Sequence, residues 1–123
     1  MNIFIAAFPR SGTTFLAKKI VEHFGLYSSP ESHFLFHIYR AINNHGAITK
    51  KQLSAILEKD FKYRVWDICP ELPEILNSDN LLDFYEQLIA CYNKVSIDQV
   101  RANLTLDHTP ENMINQDFIH HFF

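Results

Sequence analysis

Apolar and polar positions change period several times along this chain, and each change predicts an element. Residues 2–8 are apolar almost without interruption, Asn2-Ile3-Phe4-Ile5-Ala6-Ala7-Phe8. Such a run predicts a strand buried on both faces of a parallel sheet. The polar turn Pro9-Arg10-Ser11-Gly12 breaks it, and a helical period then predicts a helix to about Phe24, stopped by Gly25. Leu16, Ile20 and Phe24 recur at i, i+4 and i+8, so that stripe is expected to face the sheet, with Lys18, Lys19 and Glu22 in solvent. Leu26-Tyr27-Ser28 reads as a short second strand, ended by Pro30.

The middle of the chain reads as mostly helical. Residues 33–45 carry Phe34, Leu35, Ile38 and Ile42 on one face and stop at Gly46. Thr49 and Gln52 have the spacing of a capping box for a helix to about Phe61, with Leu53, Ile56 and Leu57 as its apolar face. Residues 62–78, punctuated by Pro70 and Pro73, read as irregular. A further helix is expected from about Asn80 to Asn93, capped by Asp79 or Asn80, and one more helical turn over Ser96 to Arg101.

Asn103 to Asp107 is the next strand. Thr109 as N-cap and Pro110 at N1 then predict a last helix holding Met113, Ile114, Phe118, Ile119, Phe122 and Phe123. The order strand, helix, short strand, helices, strand, helix predicts an α/β domain with a small parallel sheet and helices on both faces.

Size and composition narrow this only a little. A chain of 123 residues is one domain at most. Eleven Phe, five Tyr and one Trp supply a core or an apolar pocket, and a net charge of −3 argues against general nucleic-acid binding. Cys69 and Cys91 lack metal-site spacing and read as buried thiols of a reducing compartment. The N-terminal apolar run has no basic flank and is cut off by Pro9-Arg10, which is not a signal-peptide pattern. No stretch reaches the length of a membrane span. The expectation is a cytoplasmic protein without membrane partners.

The chemistry starts at the first strand-turn-helix. A helix N-terminus presents N–H groups without partners and the positive end of the helix dipole, so it attracts anions. Arg10 adds a planar cation, and Ser11, Thr13 and Thr14 add hydroxyls. The usual phosphate-loop spelling has Gly where Ala7 stands and Lys where Thr13 stands. A nucleotide kinase, which needs that Lys and a Mg²⁺ carboxylate, is therefore a poor reading. A ligand-free strand-to-helix turn is the plain alternative.

The spelling Phe8-Pro9-Arg10-Ser11-Gly12-Thr13-Thr14-Phe15-Leu16 resembles the 5′-phosphosulfate loop of the sulfotransferases, which use 3′-phosphoadenosine 5′-phosphosulfate (PAPS) as sulfuryl donor. By that resemblance Arg10, Ser11, Gly12, Thr13 and Thr14 bind the donor. Ser29-Pro30-Glu31-Ser32-His33-Phe34 is similar to a Glu-x-His-Phe-Phe segment of carbohydrate sulfotransferases, and implies Glu31 as general base. Read without the family, Glu31 and Ser32 simply favour the start of the next helix. Asp107-His108-Thr109-Pro110 resembles the family's Asp/Glu-Lys-Thr/Ser-Pro segment, with His108 in place of the Lys. His108 thereby becomes a second candidate for the base, or a hydrogen-bond donor to the sulfate, and the division of labour with Glu31 stays open. In parallel α/β sheets ligands sit beyond the carboxyl ends of strands, where all three clusters are expected.

The resemblance implies in-line transfer of a sulfuryl group from PAPS to a hydroxyl or amine of a carbohydrate or small molecule, without a metal. His33 and His37 share a helix face at i, i+4 but have no third ligand, and His120-His121 reads as a solvated corner. Residues 34–93 are expected to form a helical acceptor-side insertion within one partial domain over 1–123. The family's second signature, which grips the 3′-phosphate, does not occur before the sequence stops at Phe123. The resemblance therefore implies a domain truncated at its C-terminus, with an exposed sheet edge and a bare last helix that invite self-association. A non-catalytic anion- or nucleotide-binding remnant of the same fold is the competing function.

Overall fold

The last strand among the described residues is the middle strand of the main sheet. In a computed structural model, which describes residues 2–5, 7–8, 10–113 and 116–120, β1 (Asn2–Phe4) and β2 (Tyr27–Ser28) both pair in parallel with β5 (Thr105–Asp107), in the order β1-β5-β2. The architecture is the expected α/β one, a small parallel sheet flanked by helices. Ile3, Ile5, Leu26 and Leu106 pack on one side with α1 (Thr13–Phe24), through Ala17, Ile20 and Val21. Phe4 and Tyr27 pack on the other side against a larger core from α2 (His33–His45), α3 (Lys50–Lys59) and α5 (Leu81–Asn93).

Strand β1 is shorter than the run over 2–8 predicts. Its register pairs Phe4 with Asp107, where β5 ends, and one more bond runs from Ile5 N–H to the Asp107 carbonyl at 2.8 Å. Beyond that point no strand among the described residues continues the pairing, and Phe8 is exposed. Ala6 and Pro9 lie outside the described residues.

The sheet-facing stripe of α1 also differs from expectation. Leu16 is 49% and Phe24 67% exposed, whereas Thr13 and Ala17 are buried, Ala17 at 2%. The small Ala17 side chain lets the helix lie close to the strands, and that rotates Leu16 and Phe24 outward. Gly25 ends the helix as expected, its N–H donating to the Val21 carbonyl at 2.9 Å. Lys18 and Lys19 face solvent beside Glu22.

Helix α2 matches its predicted span and buries Phe34, Leu35, Phe36, Ile38 and Ile42. The capping box of Thr49 and Gln52 is formed at the start of α3. Residues 62–78 are more ordered than their prolines suggest. They hold one helical turn, α4 (Tyr63–Trp66), and a strand, β4 (Ile75–Asn77), antiparallel to β3 (Ala47–Thr49). Each of these two strands buries a single side chain, Ile48 and Leu76, too little pattern to announce a strand. Asn80 sits at the N-cap of α5, but its side chain reaches back instead, accepting from Asn77 N–H at 2.8 Å and donating to the Ile75 carbonyl at 3.0 Å. Ser96 and Gln99 form a second capping box on α6 (Ile97–Arg101).

After β5 the backbone makes a 3-10 turn over Pro110–Met113, and α7 (Gln116–His120) follows. The expected single α-helix is therefore not what Pro110 begins. The Thr109 hydroxyl accepts from Ser32 N–H at 2.8 Å, and its carbonyl accepts from Asn112 N–H at 3.0 Å within the turn. Ile114, His121, Phe122 and Phe123 lie outside the described residues. Both cysteines are exposed, not buried. Among the described residues no helix is long and apolar enough to cross a membrane.

The packing predicts a contrast between two leucines. Leu53→Ala, fully buried in α3, should cost about 2–5 kcal/mol. Leu16→Ala, on the exposed face of α1, should stay within roughly 0.5 kcal/mol. Urea denaturation of both variants checks this; a large loss for Leu16→Ala would restore the i, i+4, i+8 stripe.

Candidate active site

Three segments come together beyond the carboxyl ends of the main sheet. The first is the turn into α1. Arg10 holds φ 63 and Gly12 φ 85, both left-handed, and Gly12 takes this value without the steric cost a side chain brings. Gly12 occupies the N-cap and offers no side chain to cap with, and no acidic residue stands in the first turn. The first intrahelical bond runs from Leu16 N–H to the Gly12 carbonyl at 3.0 Å, so the N–H groups of Thr13, Thr14 and Phe15 precede the helical ladder. Ser11 is exposed, and its N–H is spent within the turn on the Phe8 carbonyl at 3.2 Å.

The second segment follows β2. Glu31 does not serve the start of α2: no acidic residue lies in that first turn, and Ser32 makes no side-chain cap. The Glu31 carboxylate instead accepts from Lys62 Nζ at 2.5 Å and lies 3.3 Å from His33 Nε2. Both contacts fall on Oε2. Burial alone would raise the Glu31 pKa, but the Lys62 hydrogen bond and charge, with a smaller part from His33, outweigh it and hold the group below its ordinary value.

Lys62 is the residue sequence reasoning missed. It lies 31 positions from Glu31 in a stretch that reads as irregular, and nothing in its neighbours marks it. Local chemistry positions it nonetheless. The Asp60 carboxylate accepts from the N–H groups of Lys62 (2.8 Å) and Tyr63 (3.3 Å), which starts α4. Trp66, at the end of that turn, donates its indole N–H to the Glu31 carbonyl at 3.2 Å and packs edge-to-face on Phe34.

The third segment, at the end of β5, is mainly a framework. Asp107 is 1% exposed, and its carboxylate accepts from Ser32 Oγ, from Thr109 N–H at 2.8 Å and from Asn112 Nδ2 at 3.1 Å. Ser32 N–H donates to Thr109 Oγ1 at 2.8 Å, and Asn112 Nδ2 also reaches the Ile5 carbonyl at 3.2 Å. Burial first, and the Asp107 carboxylate second, push the Tyr85 phenol well above its ordinary pKa. His108 beside this framework is 8% exposed, and its Nδ1 is buried without a hydrogen-bond partner.

Two clefts open onto these groups. The larger, about 700 Å³, is lined by Arg10, Gly12, Thr13, Thr14, Glu31 and Lys62, together with His33, Phe61 and Pro110. The smaller, about 440 Å³, is lined in part by Thr14, Glu31, Lys62 and His108. Thr14, Glu31 and Lys62 thus form a wall common to both. The structure brings five predicted residues, Arg10, Gly12, Thr13, Thr14 and Glu31, to one cleft, and His108 to its neighbour. His37 stands 4.0 Å from Asp60 rather than in a metal set, and the described residues hold no cluster of three metal-ligating side chains.

The family model for the sulfotransferase family matches residues 2–123. The chain belongs to the sulfotransferase family. That family carries out sulfuryl transfer, and the match spans the loop into α1, the Glu31 segment and the Asp107-His108-Thr109-Pro110 segment alike. No curated protein and no solved structure matches the chain.

Two measurements follow from this geometry. In Lys62→Met only burial and His33 remain on Glu31, so its carboxyl should titrate higher than in the native chain, as read by ¹³C NMR. The sign for stability follows from the lowered pKa. In the native chain the pair's contribution is complete above the ordinary value of 4.5 and is lost as pH falls through the folded pKa, and Lys62→Met should lack that acid-side loss. Asp107→Asn keeps the shape but turns an amide toward buried donors, and should cost about 2–3 kcal/mol in urea denaturation. A neutral result there would mean that the framework bonds do not hold the site.

Proposed function

We propose that this sulfotransferase moves the sulfuryl group of PAPS to a hydroxyl or amine of an acceptor at the wall shared by the two clefts. The observation that carries this is the meeting of an uncapped helix N-terminus, Arg10 and the Glu31–Lys62 pair on one cleft. The donor set suits a 5′-phosphosulfate: N–H groups and hydroxyls of Thr13 and Thr14, the guanidinium of Arg10, and no carboxylate in the first turn of α1. Ser11 contributes its hydroxyl, since its N–H is already bonded.

Transfer forms an S–O or S–N bond to the acceptor, breaks the S–O bond to the 5′-phosphate, and leaves an acceptor proton to be removed. Glu31 takes that proton through Oε1, since Lys62 and His33 both occupy Oε2. Lys62 sits where negative charge grows on the sulfuryl oxygens and can shift toward it from Glu31. His108, on the smaller cleft, faces the acceptor side. The helical part over 34–93 supplies that side, including Lys62.

One observation favours a second reading, a nucleotide-binding module without turnover: Glu31 is already paired with a cation, which weakens it as a base. The open edge of β1, with exposed Phe8, Phe15 and Phe24 nearby in sequence, further supports self-association, which light scattering would register as a dimer or larger species.

Thermal unfolding with 3′-phosphoadenosine 5′-phosphate, beside ATP with Mg²⁺, tests the donor site. At a hundred times its dissociation constant the product nucleotide should add about 2.7 kcal/mol, which is several degrees. Arg10→Ala should lose most of that shift. Glu31→Gln should keep the shift and lower turnover by about a hundredfold. Binding without any turnover in the native chain selects the second reading; no shift with either nucleotide overturns both.

A further inference from the structure

Among the described residues Glu31 is the one carboxylate on the lining of the larger cleft, beside two permanent cations, Arg10 and Lys62. It occupies one of them. Lys62 Nζ donates to Glu31 Oε2 at 2.5 Å and has no other acceptor among the described residues. His33 Nε2 lies 3.3 Å from the same oxygen. The backbone beneath the pair is held on both sides, since Asp60 accepts from Lys62 N–H at 2.8 Å and Trp66 donates to the Glu31 carbonyl at 3.2 Å. The side chains keep contact with solvent, 31% of Lys62 and 20% of Glu31. The ammonium also stands 5.5 Å from the ring centre of Phe61, an exposed residue on the lining of the larger cleft. A lysine carries its charge on a flexible four-carbon stem, so Nζ moves without the backbone. Partly exposed ion pairs are weak, and an anion of two or more charges at the start of α1 competes for Lys62 on favourable terms.

We infer that the Glu31–Lys62 pair is a latch worked by the anion of the larger cleft. With no anion, Lys62 holds Glu31; an anion beside Arg10, Thr13 and Thr14 draws Lys62 across and frees the carboxylate. The inference rests on the sulfuryl-transfer reading of that cleft and adds its regulation. It also explains why a base should be paired with a cation: Glu31 is weakened only while the donor is absent. The coupling is reciprocal, so removing the Glu31 charge must tighten the anion. Plain repulsion between Glu31 and an anion would tighten it too, but repulsion does not require Lys62. That difference sets the test.

Titration calorimetry on the full chain, with 3′-phosphoadenosine 5′-phosphate and with inorganic sulfate, compares the native protein with Glu31→Gln, Lys62→Met and the double variant. Glu31→Gln should bind the nucleotide about tenfold more tightly than the native chain, and Lys62→Met about tenfold more weakly. The double variant should bind as Lys62→Met does, because the gain exists only where Lys62 is there to be released. An equal gain in both backgrounds, or no gain from Glu31→Gln, would overturn the latch. The native chain tests it without any variant. The Glu31 carboxyl is faced by Lys62 and His33 on Oε2, and it shares the larger cleft with Arg10 and the smaller with His108. Once the nucleotide saturates, loss of Lys62 should let that carboxyl titrate higher, as read by ¹³C NMR; an unchanged titration overturns the latch. The two ligands separate the two readings. Nucleotide binding with additive variants ends the latch and leaves sulfuryl transfer standing. Non-additivity with sulfate, and no nucleotide binding, keeps the latch and ends transfer from PAPS. Failure of every variant to bind either ligand ends both.

Discussion

A single buried carboxylate ties the site to the sheet. Asp107 ends the central strand, and its oxygens gather Ser32 from the start of α2, the Thr109 backbone and the Asn112 side chain. Asn112 passes the link to the Ile5 carbonyl, just past the end of β1. A carboxylate in this position would be expensive if any of its partners were missing, since burying a charge costs several kcal/mol unless hydrogen bonds replace water. With them in place, three segments far apart in sequence are held in one arrangement. The Glu31 loop is tied to this point through Ser32, and the end of β1 that leads toward α1 through Asn112, so both approaches to the site meet at a residue outside the lining of either cleft.

Much of this could be read from the sequence where the signal was local. The spans of α1, α2 and α3, the capping box at Thr49 and the glycine stops all follow from residues within one turn of each other. The turn into α1 was legible for the same reason, since Arg10 to Thr14 are contiguous and their chemistry belongs to a helix end. What escaped was set by distance. Ser32 and Asp107 are 75 residues apart and Lys62 is 31 from Glu31, and neither pair has any pattern in the chain that links its members. The Thr109 hydroxyl was read on this account as a local cap, and it instead accepts from the backbone of Ser32, 77 residues away.

The sheet-facing side of α1 shows a subtler limit. Large apolar residues at Leu16 and Phe24 outweigh one alanine in any count of periodicity, yet Ala17 is the residue in contact with the strands. Close approach favours the small side chain, and periodicity weighs only hydrophobicity. The same preference leaves a greasy outer face on α1 that the described core does not use.

Strand order has a consequence for the sequence of events in folding. Strands β1 and β2 are not neighbours in the sheet; each pairs only with β5, which follows both in the sequence. The helices between Phe34 and Asn93 can gather around their own core early, through contacts of short range. No part of the main sheet can exist until Asp107 has left the ribosome, and until then Ile3, Phe4 and Ile5 wait without a partner. The two outer strands are therefore joined only when a single three-residue strand, made long after both, slides between them.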